Sequence, residues 1–285
     1  MLPALDMRNS NWFVKGGVNE SFRRIRAMIL RYLFLHKRSL PRTFEIIFWP
    51  VMELFVWGFV SVYIQSVSQG ALSRIAMSLI NAMIFWDILY RSQQGVSISF
   101  IEDIWTQNIV NLLISPLKIW EWVAAAALYG MMKTCLITLI LATIAFFLYH
   151  FNLVGNLQLA TVPLVFNLLL FGWALGIFTS SLVIRWGHAA EALIWGVPFL
   201  IQPLSAIFYP LSILPPWLQI VSKALPSTYV FEGMRAVIHT GRMPTGYFFI
   251  GFGLNLIYFV LAGLCFRWMY GQARNSGRLG RLGMD

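Results

Sequence analysis

The chain has 285 residues, of which 59% are hydrophobic and 11% charged, and its formal net charge is +10. Soluble globular proteins carry about 25% charged residues, so the composition excludes that class. A transmembrane helix takes about 20 mostly apolar residues, which leaves room for about six of them in this chain. The excess of Lys and Arg is typical of the cytoplasmic segments of membrane proteins, so no nucleic acid is expected as a partner.

The hydropathy pattern predicts an all-α integral membrane protein in which six transmembrane helices follow an amphipathic helix. Three parts are expected along the chain. Residues 1–42 form a cytoplasmic tail and an interfacial helix, 43–269 the transmembrane domain, and 270–285 a basic cytoplasmic tail. The spans are predicted at Thr43–Gln65, Ile75–Ser97, Ile119–Tyr149, Leu157–Ile184, Ala189–Tyr209 and Tyr247–Trp268.

The segment from Glu20 to Arg42 predicts an amphipathic helix that lies in the cytoplasmic headgroup layer. Arg23, Arg24 and Arg31 fall on its basic side. The opposite, apolar side holds Phe22, Ile25, Ile29, Tyr32 and Leu33. The alternative is a basic segment that only anchors the first span.

Four charged side chains fall inside the predicted spans: Glu53, Asp87, Arg91 and Lys133. A charge inside a bilayer is costly and normally needs a partner or a cavity. Asp87 and Arg91 are four residues apart on one helical face, so they can form an ion pair. Lys133 has two possible roles, a pair with Glu53 or a place on a central pathway. Structural and transport roles both stay open for these four residues.

Residues 99–118, between the second and third spans, are amphipathic. The acidic pair Glu102 and Asp103 precedes the run LLISPL at 112–117, where Pro116 ends the segment. This pattern predicts a structured loop, and a simple amphipathic linker is the alternative.

The stretch from Pro203 to His239 is apolar, but several prolines interrupt it. Proline cannot donate the hydrogen bond that closes a helical turn, and non-helical backbone at membrane depth must be buried by protein or line a cavity. We therefore predict short re-entrant helices over residues 210–240, between the fifth and sixth spans. The candidate pathway or external gate residues are Tyr209, Trp217, Tyr229 and Arg235.

The distribution of Lys and Arg sets the predicted topology. With both termini in the cytoplasm, the inner segments hold 16 basic residues and the outer segments four, while Lys133 lies within a span. This asymmetry favours six helices with cytoplasmic termini and places the proline-rich stretch outside. The expected location is a cell membrane, specifically the bacterial inner membrane.

The proline-containing pieces Phe208–Pro210, Leu214–Gln219 and Leu225–Tyr229, followed by Arg235, resemble the segment before the last membrane helix of type-2 ATP-binding-cassette (ABC) exporter permeases. The acidic pair and the run at 112–117 resemble the first cytoplasmic loop of the same family. The resemblance implies that this loop is a coupling helix docked into a separate ATP-binding subunit, which the interfacial helix also touches. The implied contact residues are Glu102, Asp103, Trp105, Asn111 and Ser115.

Motifs for catalysis are missing from the sequence. No GxxxxGK[ST] phosphate loop is present, so ATP and Mg²⁺ are expected on the partner subunit and no cofactor in this chain. No HExxH or GxSxG motif occurs either, and the four histidines are scattered over different segments. We therefore expect a transport subunit with no catalytic residue and no metal site, not an enzyme.

These patterns predict the permease of an ATP-driven exporter that works by alternating access. Its expected cargo is amphipathic: a drug-like molecule, a lipid or a lipid-linked polysaccharide. The expected partners are the ATP-binding subunit, a second copy of the permease in a homodimer, and membrane lipids. The alternative is a secondary transporter driven by an ion gradient, which needs several intramembrane carboxylates and internal hydropathy symmetry. Glu53 and Asp87 give it slight support, but no repeat is evident in the sequence.

Overall fold

The structure, a computed structural model, describes residues 17–67, 73–149, 161–242 and 244–276, and every regular element within these ranges is helical. The predicted outer turn at 150–156 and parts of both tails lie outside the described residues. The α-helices are α1 (Val18–Lys37), α2 (Leu40–Val67), α3 (Ser73–Trp105), α4 (Ile109–Ile114), α5 (Ile119–Tyr149), α6 (Val162–Trp186), α7 (Ala192–Leu204), α8 (Pro216–Lys223), α9 (Pro226–Thr240) and α10 (Thr245–Asn275). Short 3-10 helices cover Gly187–Ala190 and Leu211–Ile213.

Helix α3 is the centre of the bundle. It packs against α2, α5 and α6 along its length and touches α7 and α9. Most of its side chains from Ile80 to Ile104 are therefore buried by other helices. This position explains why α3 can carry polar and charged residues, because little of its surface is left for lipid.

In the described part of the chain, four helical segments are long and apolar enough to cross a membrane. They are Thr43–Val67, Ile119–Tyr149, Val162–Ala190 and Thr245–Asn275. Helix α3 is longer than any of them but more polar, and α7 is apolar but has only 13 residues. At about 1.5 Å per residue, α7 is about 20 Å long, which is less than the hydrocarbon thickness of a bilayer. The prediction of six spans thus rests on α3 and α7 in addition to these four.

The described part of the apolar core consists of three clusters. At one end of the bundle, which we call the α1 end, side chains of α1, α3, α5, α6 and α10 pack around Tyr32 and Trp122. At the other, the α9 end, α3, α6 and α9 pack around Phe85 and Phe231. The third cluster, formed by α2, α3 and α5, packs around Leu54.

Small residues bring α3 and α5 into backbone contact. A Cβ atom built on Gly130 of α5 would lie 2.7 Å from the Cα atom of Gly95 on α3. Such close approach is typical of membrane helices, where van der Waals packing replaces much of the hydrophobic driving force. On the opposite side of α3, Gly172 and Gly176 of α6 make equally tight contacts.

Buried polar side chains hold α6 to both of its neighbours. Gln93 Nε2 on α3 donates a hydrogen bond to Thr179 Oγ1 of α6 over 3.1 Å, and Ser97 Oγ lies 2.7 Å from the same oxygen. Toward α10, Asn255 Nδ2 donates to Asn167 Oδ1 over 3.0 Å. These groups satisfy each other where water is absent, so they fix how the helices pair.

Two predicted boundaries differ from the structure. Helix α3 continues to Trp105, so Glu102 and Asp103 belong to its last turn and not to a loop. The predicted fifth span, Ala189–Tyr209, is helical only from Ala192 to Leu204, since residues 205–209 leave the helix after two prolines. The third span begins and ends where it was predicted, and short helices occupy most of residues 210–240.

The glycine contact generates the first test. Gly130→Ala adds a methyl group against the backbone of α3, and we expect a loss of about 1–3 kcal/mol in stability because a backbone contact cannot relax by a rotamer change. Thermal unfolding of the detergent-purified chain measures the effect.

The matched control is Gly263→Ala in α10, where no heavy atom lies within 4 Å of the added methyl group. This variant should unfold at the original temperature or slightly above it, because Ala favours a helix more than Gly does. Equal unfolding temperatures for the two variants would contradict the proposed packing.

Candidate functional site

A cavity of about 750 Å³ lies between α2, α3, α5 and α7. Its wall carries charged and aromatic side chains in place of a purely apolar lining. The charged residues are Glu45, Glu53, Asp87, Arg91, Glu102 and Lys133. The aromatic residues are Trp49, Trp57, Tyr90, Trp105, Trp195 and Phe199.

One face of α3 forms the longest wall of this cavity. Asp87, Arg91, Ile98, Glu102 and Trp105 all line it, at intervals of three, four or seven residues that keep them on one side of a helix. The first and the last of them are 18 residues apart, which is about 27 Å along the helix axis. The cavity therefore extends from the middle of the bundle to its α1 end.

The four charges predicted inside the spans all line this cavity. Arg91 Nε lies 3.1 Å from Asp87 Oδ1, so α3 contains the predicted ion pair. Lys133 does not pair with Glu53 in the described structure. Its ammonium group lies 4.8 Å from the centre of the Tyr129 ring, a cation–π geometry. The sequence identified these four charges, but it did not show that they line the same cavity.

Two arginines of α1 form ion pairs with carboxylates of α3 and α5. The guanidinium of Arg24 binds Glu121 through two hydrogen bonds, Nε–Oε2 at 2.8 Å and Nη2–Oε1 at 2.7 Å. Arg31 pairs with Asp103 at the end of α3. Both carboxylates are completely buried. We call these four residues the ionic clamp.

Uncharged donors also form hydrogen bonds with the carboxylates of the clamp. Trp122 Nε1 donates to Asp103 Oδ2 over 3.1 Å and to Tyr32 Oη over 2.9 Å, so it links α1, α3 and α5. Glu121 also accepts the backbone N–H of Lys118 over 2.9 Å, at the beginning of α5. Buried carboxylates that accept several hydrogen bonds can stay charged inside a protein.

The charges of the clamp depend on each other. Burial raises the pKa of the Asp103 carboxyl, while its hydrogen bond and charge interaction with Arg31 oppose that shift. The hydrogen bond from Arg24 to Glu121 raises the pKa of Arg24 in turn. Arg31 of α1 therefore favours the anionic form of Asp103.

The clamp corrects the predicted roles of several residues. Arg24 and Arg31 do not lie on a free basic side of α1, since both bind carboxylates, whereas Arg23 is exposed. Asp103 is 0% exposed and Glu102 is 6% exposed in the single chain, and their contact with a partner subunit stays a prediction. A helical wheel could not reveal the ion pairs, because the period of α1 gives its faces but not the charges that meet them.

The predicted apolar side of helix α1 is divided between the surface and the interior. Phe22 and Leu33 of that side are exposed, while Tyr32 is buried together with Met28 and His36. The exposed aromatic and aliphatic groups suit contact with the lipid headgroup layer.

The exposed part of the predicted coupling segment is α4. Asn111 is exposed and its Nδ2 donates to Asn108 Oδ1 over 3.2 Å, while Ser115 Oγ donates to the carbonyl of Leu112 over 2.7 Å. Ile114 is 79% exposed, an unusual position for an apolar residue, and the sequence reading missed it. Its place directly before Ser115-Pro116 was the available signal.

Trp105 connects the cavity with the loop that follows α6. Its Nε1 donates to Glu191 Oε1 over 2.9 Å, and Glu191 also pairs with His188. Because Trp105 lines the cavity as well, a shift of this loop changes the cavity at its α1 end. Glu191 was not singled out in the sequence.

Residues 205–240, which we call the proline-rich reversal, are stabilised by hydrogen bonds of Arg235, a residue predicted to belong to an external gate. Arg235 donates to the carbonyls of Ala206 and Ile207 over 2.6 and 3.1 Å, where Ala206 has a φ of 52°, in the left-handed region. It also binds Glu232, which accepts the N–H of Leu211 over 2.7 Å. Free carbonyls created by the helix break thus find a donor.

The remaining gate candidates lie at the surface of the same segment. Tyr209 Oη donates to the carbonyl of Pro203, and Tyr229 Oη donates to that of Lys223 over 2.9 Å. Trp217 is 66% exposed at the start of α8. The two tyrosines therefore brace the reversal, and Trp217 is the residue that is available for contact.

No cluster of three or more His, Cys, Asp or Glu side chains suited to a metal ion occurs among the described residues. The cavity holds carboxylates, but Asp87 faces Arg91 and the other acids are spread along the wall. The arrangement is that of a charged, aromatic-lined cavity next to the ion pairs of α1.

The clamp generates the second test. Asp103→Asn keeps the shape of the side chain but leaves Arg31 without its counter-charge. Loss of one partner from a fully buried pair costs about 3–5 kcal/mol, and since Arg31 stays 29% exposed we expect about 2 kcal/mol. Hydrogen exchange should rise throughout α1.

The control for this test is Arg23→Gln, which changes an exposed residue of the same helix and should shift stability by no more than about 0.5 kcal/mol. If α1 exchanges equally slowly in both variants, the ion pair does not hold the helix in place.

The comparisons with known proteins agree with this architecture. A comparison with curated protein sequences finds no match. The model of the ABC-2 type transporter family matches residues 25–239, which include most of α1, the cavity, all of the clamp except Arg24, and the reversal up to α9. With three quarters of its length matched, the chain belongs to the ABC-2 type transporter family, as a multi-pass transmembrane permease component.

Proposed function

We propose that this permease exports an amphipathic cargo from the cytoplasm or the inner leaflet by alternating access, driven by ATP hydrolysis in a separate subunit. The observation that carries the proposal is the continuity of α3. One helix contributes the longest wall of the cavity, the Asp103 anchor of the clamp and the approach to α4. A force applied at the surface thus reaches the cavity through a single rigid element.

The ATP-binding subunit docks at the α1 end in this proposal. Ile114 and Asn111 lie on the exposed side of helix α4. Arg23 of α1, the residue before Arg24 of the clamp, adds an exposed cation. Glu102 and Asp103 act from behind this surface by fixing α3 to α1. ATP and Mg²⁺ bind to the partner subunit, and this chain supplies no cofactor site.

Movement of the docked surface opens and closes the cavity. When the ATP-binding subunits close, α4 and α1 move with them, and the clamp carries that movement to α3 and α5. Trp105 shifts with the end of α3, so its contact with Glu191 serves as the inner closure. The reversal braced by Arg235 caps the opposite end, where Trp217 supplies an apolar contact.

The orientation follows from the distribution of basic residues. The α1 end faces the cytoplasm together with both termini, and the reversal faces outward, in a bacterial inner membrane. Two copies of the chain form a homodimer around one pathway, surrounded by lipid. Large exposed apolar side chains of α2 that do not line the cavity, such as Phe44 and Phe59, are available for either contact.

The third test asks whether α4 is the docking site. Ile114→Asp places a charge on the exposed tip of α4, and we expect at least a tenfold loss of the ATP-binding subunit that co-purifies from native membranes, since a desolvated aspartate would oppose apolar docking. Quantitative mass spectrometry of the purified complex measures the ratio of the two subunits.

Ile213→Asp is the matched control, because Ile213 is 69% exposed and lies in the reversal at the other end of the bundle. It should retain the ATP-binding subunit at the level of the unaltered chain. Equal retention by both variants would place docking elsewhere, and a chain that never carries an ATP-binding subunit would contradict the ATP-driven mechanism.

One observation favours a second candidate, a secondary transporter driven by an ion gradient. Glu53 lines the cavity and makes no hydrogen bond with the described residues, as expected for a carboxylate that binds and releases an ion. Transport by the isolated chain in liposomes, with an ion gradient and without ATP, would decide for this alternative.

A further inference from the structure

We infer that the cargo of the cavity is an organic cation with an apolar, aromatic-sized body. The inference rests on the proposed transport function and narrows its cargo from amphipathic molecules in general to one charge class. It is carried by the balance of charges on the cavity wall, by an unsatisfied buried carboxylate oxygen and by the aromatic lining.

The wall carries more negative than positive charge. Four carboxylates line it, those of Glu45, Glu53, Asp87 and Glu102, against the two cations Arg91 and Lys133. Arg91 pairs with Asp87, and the charge of Lys133 interacts with that of Glu102. The two other carboxylates, Glu45 and Glu53, leave the wall with a net negative charge for a ligand.

Asp87 shows that this negative charge is unsatisfied. Only 2% of the residue is exposed, and its Oδ1 accepts from Arg91. Its other oxygen, Oδ2, is buried and has no hydrogen-bond partner among the described residues. A buried acceptor without a partner is costly. On the neighbouring wall, Glu53 likewise accepts no hydrogen bond from the described residues. A cationic ligand would give Asp87 Oδ2 and Glu53 a positively charged partner.

The aromatic side chains select the body of the ligand. Trp49 and Trp57 of α2, Tyr90 of α3, and Trp195 and Phe199 of α7 surround the carboxylates. Aromatic faces attract a cation, most strongly when both are removed from water. The volume of about 750 Å³ lies in the range of about 300–1,000 Å³ that drug-sized ligands occupy.

Anionic and sugar-like cargos fit this wall less well. An anion such as a lipid phosphate would meet the charges of Glu45 and Glu53, and each of the two cations already interacts with another carboxylate. A polysaccharide needs many hydrogen-bonding groups, whereas the wall between the charges is built of indole rings and aliphatic side chains such as Ile46 and Ile98. Charge and shape together favour the lipophilic cation.

The experiment compares two ions of nearly the same shape and opposite charge. The full-length chain is placed in nanodiscs of zwitterionic lipid and dialysed to equilibrium against tetraphenylphosphonium in one series and tetraphenylborate in another. Empty nanodiscs give the lipid partitioning that is subtracted from each. We expect saturable binding of the cation and at least tenfold weaker specific binding of the anion.

A pair of variants locates the binding. Glu53→Gln should weaken the binding of tetraphenylphosphonium about tenfold, because it removes one charge from the wall while the shape is kept. Glu20→Gln, which changes an exposed glutamate outside the cavity, should bind the cation as the unaltered chain does. An unaltered thermal unfolding temperature shows that both variants are folded.

Three results would overturn the inference: equal specific binding of the two ions, preference for tetraphenylborate, or unchanged cation binding by Glu53→Gln. None of them depends on the ATP-binding subunit. A chain that prefers the cation but never carries an ATP-binding subunit would support this inference and contradict the proposed ATP-driven mechanism, so the two failures are distinguishable.

Discussion

Two buried ion pairs between α1 and the helices beside it are the interaction on which the rest of the structure depends. Inside a membrane, apolar helices gain little from leaving lipid for one another, so packing contacts and polar pairs must specify which surfaces meet. Arg24 with Glu121, and Arg31 with Asp103, supply that specification at the α1 end. Each carboxylate is inaccessible to water, and neither would tolerate the loss of its arginine. The position of α1, the end of α3 and the start of α5 are thus fixed as one unit.

The same rule accounts for the cavity. A charged residue is tolerated in a transmembrane region where protein or a cavity shields it from hydrocarbon. Helix α3 is surrounded by other helices, and close contacts at Gly95 and Gly130 leave no lipid between it and α5. Its charges can therefore face only a neighbouring helix or the cavity, and Asp87 with Arg91 does both. The polarity that keeps α3 from resembling an ordinary transmembrane helix follows from its central position.

The sequence predicts the helical membrane class, the bounds of α5 and the short helices after α7, because these features depend on local hydropathy and on proline. It does not predict the partners in the clamp, since Arg24 and Glu121 are 97 residues apart and periodicity assigns faces without saying what they meet. The burial of Glu102 and Asp103 does not follow from the sequence, for the same reason. Charge is a reliable sign of exposure only where no counter-charge is close, and tertiary packing alone brings Arg31 to Asp103. The sequence does not single out Ile114 or Glu191, because the exposure of Ile114 and the contact of Glu191 with Trp105 are visible only in the structure.

The geometry also limits how a surface event can influence the cavity. Asp103 and Trp105 are two residues apart on the last turn of α3, and one is fixed to α1 while the other lines the cavity and binds Glu191. A continuous helix transmits displacement along its axis because its backbone hydrogen bonds resist stretching, so movement at α4 must alter both contacts together. Toward the other end of the same face lies Asp87, whose Oδ2 lacks a partner. A ligand that satisfies this oxygen stabilises one position of α3, and any force that moves α3 changes the affinity for that ligand. In the proposed mechanism, binding in the cavity and docking at the α1 end are therefore coupled, since both act on the position of a single helix.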